Sequence, residues 1–297
     1  VHRLHVFFQV IYRKERAVFL FAEMVPAAAG NTKRQIKFIT DFGTTCLHII
    51  PSYATRLAEV MYEEGIDPRK DTKLHTVCIG AEPHSEEQRK RIEQLLGVKA
   101  YNCFGMSEMN GPGVAFECTE QNGLHIWEDN VIVEIVDPVT LQPVPEGEVG
   151  ELVLTTINRE AMPLLRYRTR DLTCILPGDC PCGRTHKRLA RFKGRSDDMI
   201  ILKGVNLFPI QIEKILMQFK ELGSNYLITL ETIGNSDEML IEVELSDLFT
   251  DDYSALQRLT KGITRQLKDE LLLTPRIKLV AKGSLPTTDG KAVRVKD

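Results

Sequence analysis

Hydrophobic positions change period several times along this chain, and each change marks an element. Residues 33–42 carry an amphipathic helical pattern, and residues 46–50 form a short apolar run that suits a buried strand. Ala54, Leu57, Ala58 and Met61 then recur at helical spacing, with Gly65 as the stop. Residues 74–79 predict a second strand, ending at Gly80. Ser85 and Gln88 make a capping box for a helix that buries Ile92, Leu95 and Leu96 and stops at Gly97. Residues 98–104 predict a third strand, ending at Gly105. Across about the first 28 residues no period is legible.

Strands separated by helices pair in parallel, and ligands of such sheets sit beyond the carboxyl ends of the strands. Two strand ends therefore stand out, Gly80-Ala81-Glu82-Pro83 and Gly105-Met106-Ser107-Glu108. The style then changes. Residues 131–136 and 151–156 flank turn signals at Asp137-Pro138 and Pro145-Glu146-Gly147, which predicts antiparallel strands. Further on, Pro209 opens a helix carrying Ile212, Ile215 and Leu216. Strands at 225–232 and 238–244 follow, then a helix marked by Leu256, Leu259, Ile263, Leu267 and Leu271, then a strand at 276–280. The whole reads as α/β, with a boundary near residues 194–198. It divides the chain into a large domain, 1–196, of parallel and antiparallel sheet portions and a small α+β domain, 197–297.

Composition narrows the classes. A net charge of -3 argues against nucleic-acid binding, which uses a basic face. No apolar run approaches a membrane span, and the opening residues lack a signal-peptide cleavage site. Seven cysteines, an odd number scattered over 297 residues, do not form a disulfide framework, which points to the reducing cytoplasm. Assembly is left open, with a homodimer as one option.

Each candidate motif has a plain alternative. Glu108 is either a solvated cap or a hard oxygen ligand for a phosphate-bridging Mg²⁺. Arg166-Tyr167-Arg168-Thr169-Arg170-Asp171 suits an exposed strand, and Asp171 equally suits the two hydroxyls of a ribose. Gly290-Lys291 is either an exposed loop or a lysine that stabilises charge on a phosphate under attack. Cys180-Pro181-Cys182-Gly183 places two thiols on a tight turn, and Cys118 with His125 supplies a second pair. Three thiolates and an imidazole would close a tetrahedral Zn²⁺ site, with His186 as a substitute ligand; free buried cysteines are the alternative.

Taken in order, these motifs resemble the adenylate-forming acyl-CoA synthetase superfamily, and among its members the phenylacetate-CoA ligases. The resemblance rests on Gly80-Ala81-Glu82-Pro83, Ala100-Tyr101 with Phe104-Gly105, Glu108, Gly111-Pro112-Gly113-Val114-Ala115, residues 166–172, residues 194–209 and residues 283–295. It implies ATP-dependent ligation of an aryl-acetic acid to coenzyme A through an acyl adenylate. Glu108 would then hold Mg²⁺ and Asp171 the ribose. Gly80, Ala81, Glu82, Tyr101, Gly105 and Met106 would line the nucleotide site. Arg195 would contact ribose or phosphate, Asp197 would be the pivot of a mobile C-terminal domain, and Gly204 would line the thiol's approach. Lys291 would serve adenylation alone. Phe104, Gly105, Met106, Pro112 and Gly113 would shape a pocket for a small aromatic acid. The family's Ser/Thr/Gly-rich phosphate loop has no counterpart upstream of Gly30. The large domain is therefore expected to be incomplete, and the rival readings are a ligase for another aromatic acid and an inactive nucleotide-binding remnant.

Overall fold

A computed structural model of the chain describes residues 2–6, 22–27, 31–109, 111–202, 205–233, 236–246, 253–286 and 292–296. It divides into two compact units, Val1–Pro83 with Ile92–Asp197, and His84–Arg91 with Asp198–Asp297.

The first unit contains strands β1 (His2–Val6), β2 (Ala22–Pro26), β3 (Cys46–Ile49), β4 (Thr76–Gly80), β5 (Lys99–Met106), β6 (Gly111–Glu117) and β7 (Leu124–Ile126). They continue as β8 (Val131–Val136), β9 (Gly150–Thr156), β10 (Tyr167–Thr173), β11 (Ile175–Leu176), β12 (Arg188–Leu189) and β13 (Gly194–Arg195). A nine-stranded sheet has the order β11-β12-β7-β6-β5-β4-β3-β1-β2. Its β1 to β5 half is parallel, with helices between β2 and β3, β3 and β4, and β4 and β5. Its other half is antiparallel.

The helices Thr32–Phe42, Pro51–Glu63 and Glu86–Leu96 match the predicted positions. Their apolar stripes, Ile36 and Ile39, Leu57 and Met61, Ile92 and Leu96, pack with Leu47, Ile49, Val77 and Ile79 of the parallel strands. The run predicted as a buried strand is buried on one face only. Leu47 and Ile49 are covered while Cys46 and His48 are half-buried, and β4 repeats the alternation. A second sheet, β13-β10-β9-β8, is antiparallel throughout. Ile135, Leu152 and Leu154 from this sheet share a core with Val114, Ala115, Leu124 and Ile126 from the first.

The second unit holds the paired β14 (Ile200–Leu202) and β15 (Val205–Leu207). Its main sheet comprises β16 (Leu222–Ile233), β17 (Ser236–Leu245), β18 (Arg276–Val280) and β19 (Val295–Lys296), in the order β18-β17-β16-β19. Helix Pro209–Leu216 begins with proline, whose missing N–H costs nothing there. Helix Tyr253–Leu271 buries Leu259, Ile263 and Leu267, four residues apart on one stripe. The α/β architecture is the one expected. Among the described residues, no helix is long and apolar enough to cross a membrane.

One buried group gives the first unit a pH response. His48 Nε2 lies 3.1 Å from Cys103 Sγ, and burial lowers the imidazole from its ordinary 6.5 to about 4. The fold thus prefers neutral His48. The resulting stability is fully present above pH 6.5 and is lost as pH falls toward the folded value. Acidification from pH 7 to pH 5 should destabilise the protein by about 1–2 kcal/mol through this group, a range reduced for its partial exposure. His48→Gln should flatten that part of the pH profile in urea unfolding; an unchanged profile would refute the assignment.

Candidate functional site

Parallel pairing sets the ends of β4 and β5 side by side, with Gly80 opposite Cys103 and Cys78 opposite Tyr101. A Cβ on Gly80 would meet the Cys103 carbonyl oxygen at 2.3 Å, so strand packing alone demands glycine here. Ala81 follows at φ 66, in the left-handed region that non-glycine residues avoid. This turns the chain sharply off the strand. Glu82 is then committed to a structural task. Helix Pro51–Glu63 lacks a side-chain cap of its own, and Glu82 supplies it. The Ser52 N–H donates to Glu82 Oε2 at 3.0 Å, and the Ser52 hydroxyl donates to Oε1 at 2.8 Å. A carboxylate at a helix N-terminus is favoured by the orphan amides and the helix dipole.

Along β5, Tyr101, Phe104, Gly105 and Met106 are half-buried. Phe104 stacks on Phe192 with ring centroids 4.4 Å apart, and both residues line the shared core together with Met106. Met106 lies opposite Gly111 on β6. Gly113 sits beneath the Trp127 ring, which an added Cβ would touch at 3.8 Å. Glu108 is exposed on the one-turn helix Ser107–Met109, and the Arg159 guanidinium donates to its backbone carbonyl.

A second cluster forms where β10 meets β13. Glu151 is fully buried on β9 and is paired by Arg168, whose Nε and Nη2 donate at 2.9 and 2.6 Å. Arg168 lies opposite Val153 and Leu172 opposite Glu151, so four steps on β10 cover two on β9. The surplus forms a bulge in which Arg170 takes φ 68. The Thr169 hydroxyl stitches it, donating to the Leu152 carbonyl at 3.0 Å and accepting from the Asp171 N–H at 3.1 Å. Asp171 then pairs with Arg195 across the strands. Arg195 forks onto Asp197 at 2.9 and 2.8 Å and donates to the Thr169 carbonyl at 3.3 Å. The guanidinium beside Asp197 holds its carboxyl below the ordinary range.

The third cluster is sulfur-rich. Cys118, His125, Cys180 and Cys182 bring their ligand atoms within 4.8 Å of one another. Sγ of Cys118 and Cys180 are 3.7 Å apart, and Cys182 Sγ is 3.4 Å from His125 Nε2. Cys118, His125 and Cys180 are buried, and Cys182 is half-buried. The backbone N–H of Arg184, aided by its guanidinium and the neighbouring thiols, lowers the Cys182 thiol to about 7. His125 is shifted downward by burial. His186, offered from sequence as a substitute ligand, instead presents its carbonyl to His125 Nδ1 at 3.3 Å.

The predicted residues thus form separate groups: Gly80 to Glu82 with Tyr101 to Met106 at adjacent strand ends, Asp171 with Arg195 and Asp197 at the bulge, and the four metal candidates. Gly204 and Lys291 lie outside the described residues, as does the side chain of Pro112. Sequence reasoning missed the Glu151–Arg168 pair and the Arg159 contact. Nothing in a linear pattern distinguishes those arginines from solvated ones.

Comparison with known proteins adds family information. The family model described as AMP-binding enzyme matches residues 16–158, and that of the AMP-binding enzyme C-terminal domain matches residues 204–297. A phenylacetate-coenzyme A ligase of Thermus thermophilus is 41% identical over 285 residues, covering 91% of this chain and 64% of the relative. One from Pseudomonas putida is 42% identical over 276 residues, covering 92% of this chain and 62% of the relative. The chain therefore spans somewhat under two thirds of the length of these relatives. The crystal structure of a 2-hydroxyisobutyryl-CoA ligase in the postadenylation state, in complex with R3-HIB-AMP, is similar with a TM-score of 0.91. It is 29% identical, and the match covers 100% of this chain and 65% of that one.

The close approach at Gly80 is testable without any ligand. Gly80→Ala should destabilise the protein by about 1–3 kcal/mol, as overpacking against an unyielding backbone does. The urea midpoint should fall at constant slope, and an unchanged midpoint would show that the strands separate freely.

Proposed function

The chain belongs to the AMP-binding enzyme family, and on that premise we propose that it contributes the strand-end nucleotide site and the lysine-bearing lobe of an ATP-dependent acid–CoA ligase. The substrate would be an aryl-acetic acid of the phenylacetate kind. The observation that carries this reading is the bulge in β10, which sets Asp171 opposite Arg195, itself bonded to Asp197, in a chain whose curated relatives are phenylacetate-coenzyme A ligases.

In the first half-reaction a carboxylate oxygen of the acid attacks the α-phosphorus of ATP. The new P–O bond forms as the bond to pyrophosphate breaks, leaving an acyl adenylate. In the second, the thiol of coenzyme A attacks the acyl carbonyl, loses its proton and expels AMP. Asp171 would accept hydrogen bonds from the ribose hydroxyls, for which an ionised carboxylate is suited. Arg195 would meet ribose or phosphate. Gly80, Ala81 and Tyr101 would border the adenine, and Glu82 would hold this border in place through Ser52 rather than by touching the base. Phe104, Met106 and Gly113 would border the aromatic ring of the acid.

Glu108 fits a Mg²⁺ ligand, because a single exposed carboxylate on a short turn suits an ion that keeps several waters and shares phosphate oxygens. When bound, the ion would neutralise phosphate charge. Lys291 would approach during adenylation only, with Asp197 as the pivot of a mobile C-terminal domain and Gly204 beside the thiol's path. The described residues on either side of Lys291 are held within the second unit. Leu285 N–H donates to Glu244 Oε1 at 2.8 Å, and Arg294 lies over the Tyr226 ring at 4.4 Å. A reducing compartment such as the cytoplasm suits seven free cysteines. A homodimer is compatible with this reading and is not required by it.

In the whole enzyme, Lys291→Ala should lower the rate of acyl-adenylate formation by about 100-fold or more, the scale of losing one preorganised charge partner. Thiolysis of supplied phenylacetyl adenylate should change little. Equal loss in both half-reactions would refute the role given to Lys291. Ranking thioester formation over phenylacetate, benzoate and aliphatic acids tests the substrate class, and a preference for aliphatic acids would overturn it.

A further inference from the structure

The loop between β11 and β12 has little hydrophobic means of holding its place. Pro177, Gly178, Asp179, Pro181 and residues 183–187 are exposed, and the two strands that bracket the loop are two residues long each. Yet Cys180 is buried, and Cys182 turns inward beside His125 of β7. Cys118, one residue past β6, completes the group.

We propose that Cys118, His125, Cys180 and Cys182 bind one Zn²⁺ in a closed structural site that fastens the 177–187 loop to the antiparallel edge of the nine-stranded sheet. Two of the separations match a zinc tetrahedron, and all four ligand atoms lie within 4.8 Å of one another. Bonds of about 2.3 Å to sulfur and about 2.0–2.1 Å to nitrogen put two sulfurs about 3.8 Å apart and a sulfur and a nitrogen about 3.6 Å apart. The observed separations are 3.7 Å for Cys118–Cys180 and 3.4 Å for Cys182–His125. A disulfide between Cys118 and Cys180 would need about 2.05 Å.

The imidazole is already oriented for a metal. With Nδ1–H donated to the His186 carbonyl, Nε2 keeps its lone pair directed at the thiol cluster. Three soft sulfurs and one imidazole select zinc over the hard cations that carboxylates and water hold. All four positions are filled by protein and three of the ligands are buried, so no position is left for substrate. The site is therefore structural, and it stands independently of the ligase reading. Arg188 assists from within the chain. Its guanidinium donates to the Asn122, Gly178 and Asp179 carbonyls at 2.9, 3.1 and 3.3 Å, drawing the start of the loop toward the β6–β7 connection.

The test uses the 297-residue chain purified without added metal. Elemental analysis should find about one zinc per chain. Replacement by Co²⁺ should produce tetrahedral d–d absorption with a thiolate-to-cobalt charge-transfer band, a readout of sulfur ligation that needs no substitution. His125→Ala and the Cys180→Ser, Cys182→Ser pair should each lower zinc content at least about tenfold. His186→Ala should retain the metal because only its carbonyl takes part, and Cys174→Ser, outside the cluster, should retain it as well. Chelation should speed proteolysis within residues 177–187. Folded protein with far less than one zinc and no thiolate band on cobalt addition would overturn the proposal. So would a Cys118–Cys180 disulfide found by mass spectrometry in freshly isolated, unoxidised protein.

Discussion

A carboxylate taken wholly out of water has to be matched, and the site geometry of the first unit depends on how Glu151 is matched. Arg168 meets it with two parallel hydrogen bonds, the arrangement in which a guanidinium gives the most directional pairing. Breaking such a pair from one side leaves an uncompensated charge, a loss of about 3–5 kcal/mol. The pair therefore fixes which residues of β9 and β10 stand opposite each other on the approach to the bulge. With that register fixed, Thr169 can close the bulge and Asp171 can emerge opposite Arg195. The chemistry assigned to Asp171 thus rests on a contact that touches no ligand.

Much of the architecture was legible because helices and strands in an α/β sheet announce themselves by period. Residues 33–42, the stripe Ala54 to Met61 and the stripe Leu259 to Leu267 each sit within an observed helix. The antiparallel pair at 131–136 and 151–156 also appears as read. What escaped was short or unperiodic. The strands β11, β12 and β13 have two residues each, too few for any alternation to show. The region of β1 and β2 offers no pattern, and their placement follows from pairing with β3 and with each other.

The site divides along the same line. Motif residues were found in sequence because glycine and carboxylate at strand ends carry chemistry, but their supports were hidden. The family resemblance implies that Gly80 lines the nucleotide site, and the structure adds a stricter reason for glycine in the neighbouring Cys103 carbonyl. Glu82 was read as lining, and its carboxylate is occupied by Ser52, thirty residues earlier in the chain. The sulfur cluster is the opposite case. Its four members stand out as ligand types in two distant pairs, and tertiary structure brings residues up to 64 positions apart within 4.8 Å of one another. His186 shows the limit, since a side chain was named where a main-chain oxygen takes part.

The fork between Arg195 and Asp197 has a further consequence. A guanidinium offers a fixed number of N–H groups in one plane, and here two of them already face a carboxylate in the turn that follows β13. On the proposed reading, a phosphate or ribose oxygen arriving at Arg195 would compete with Asp197 for these same donors.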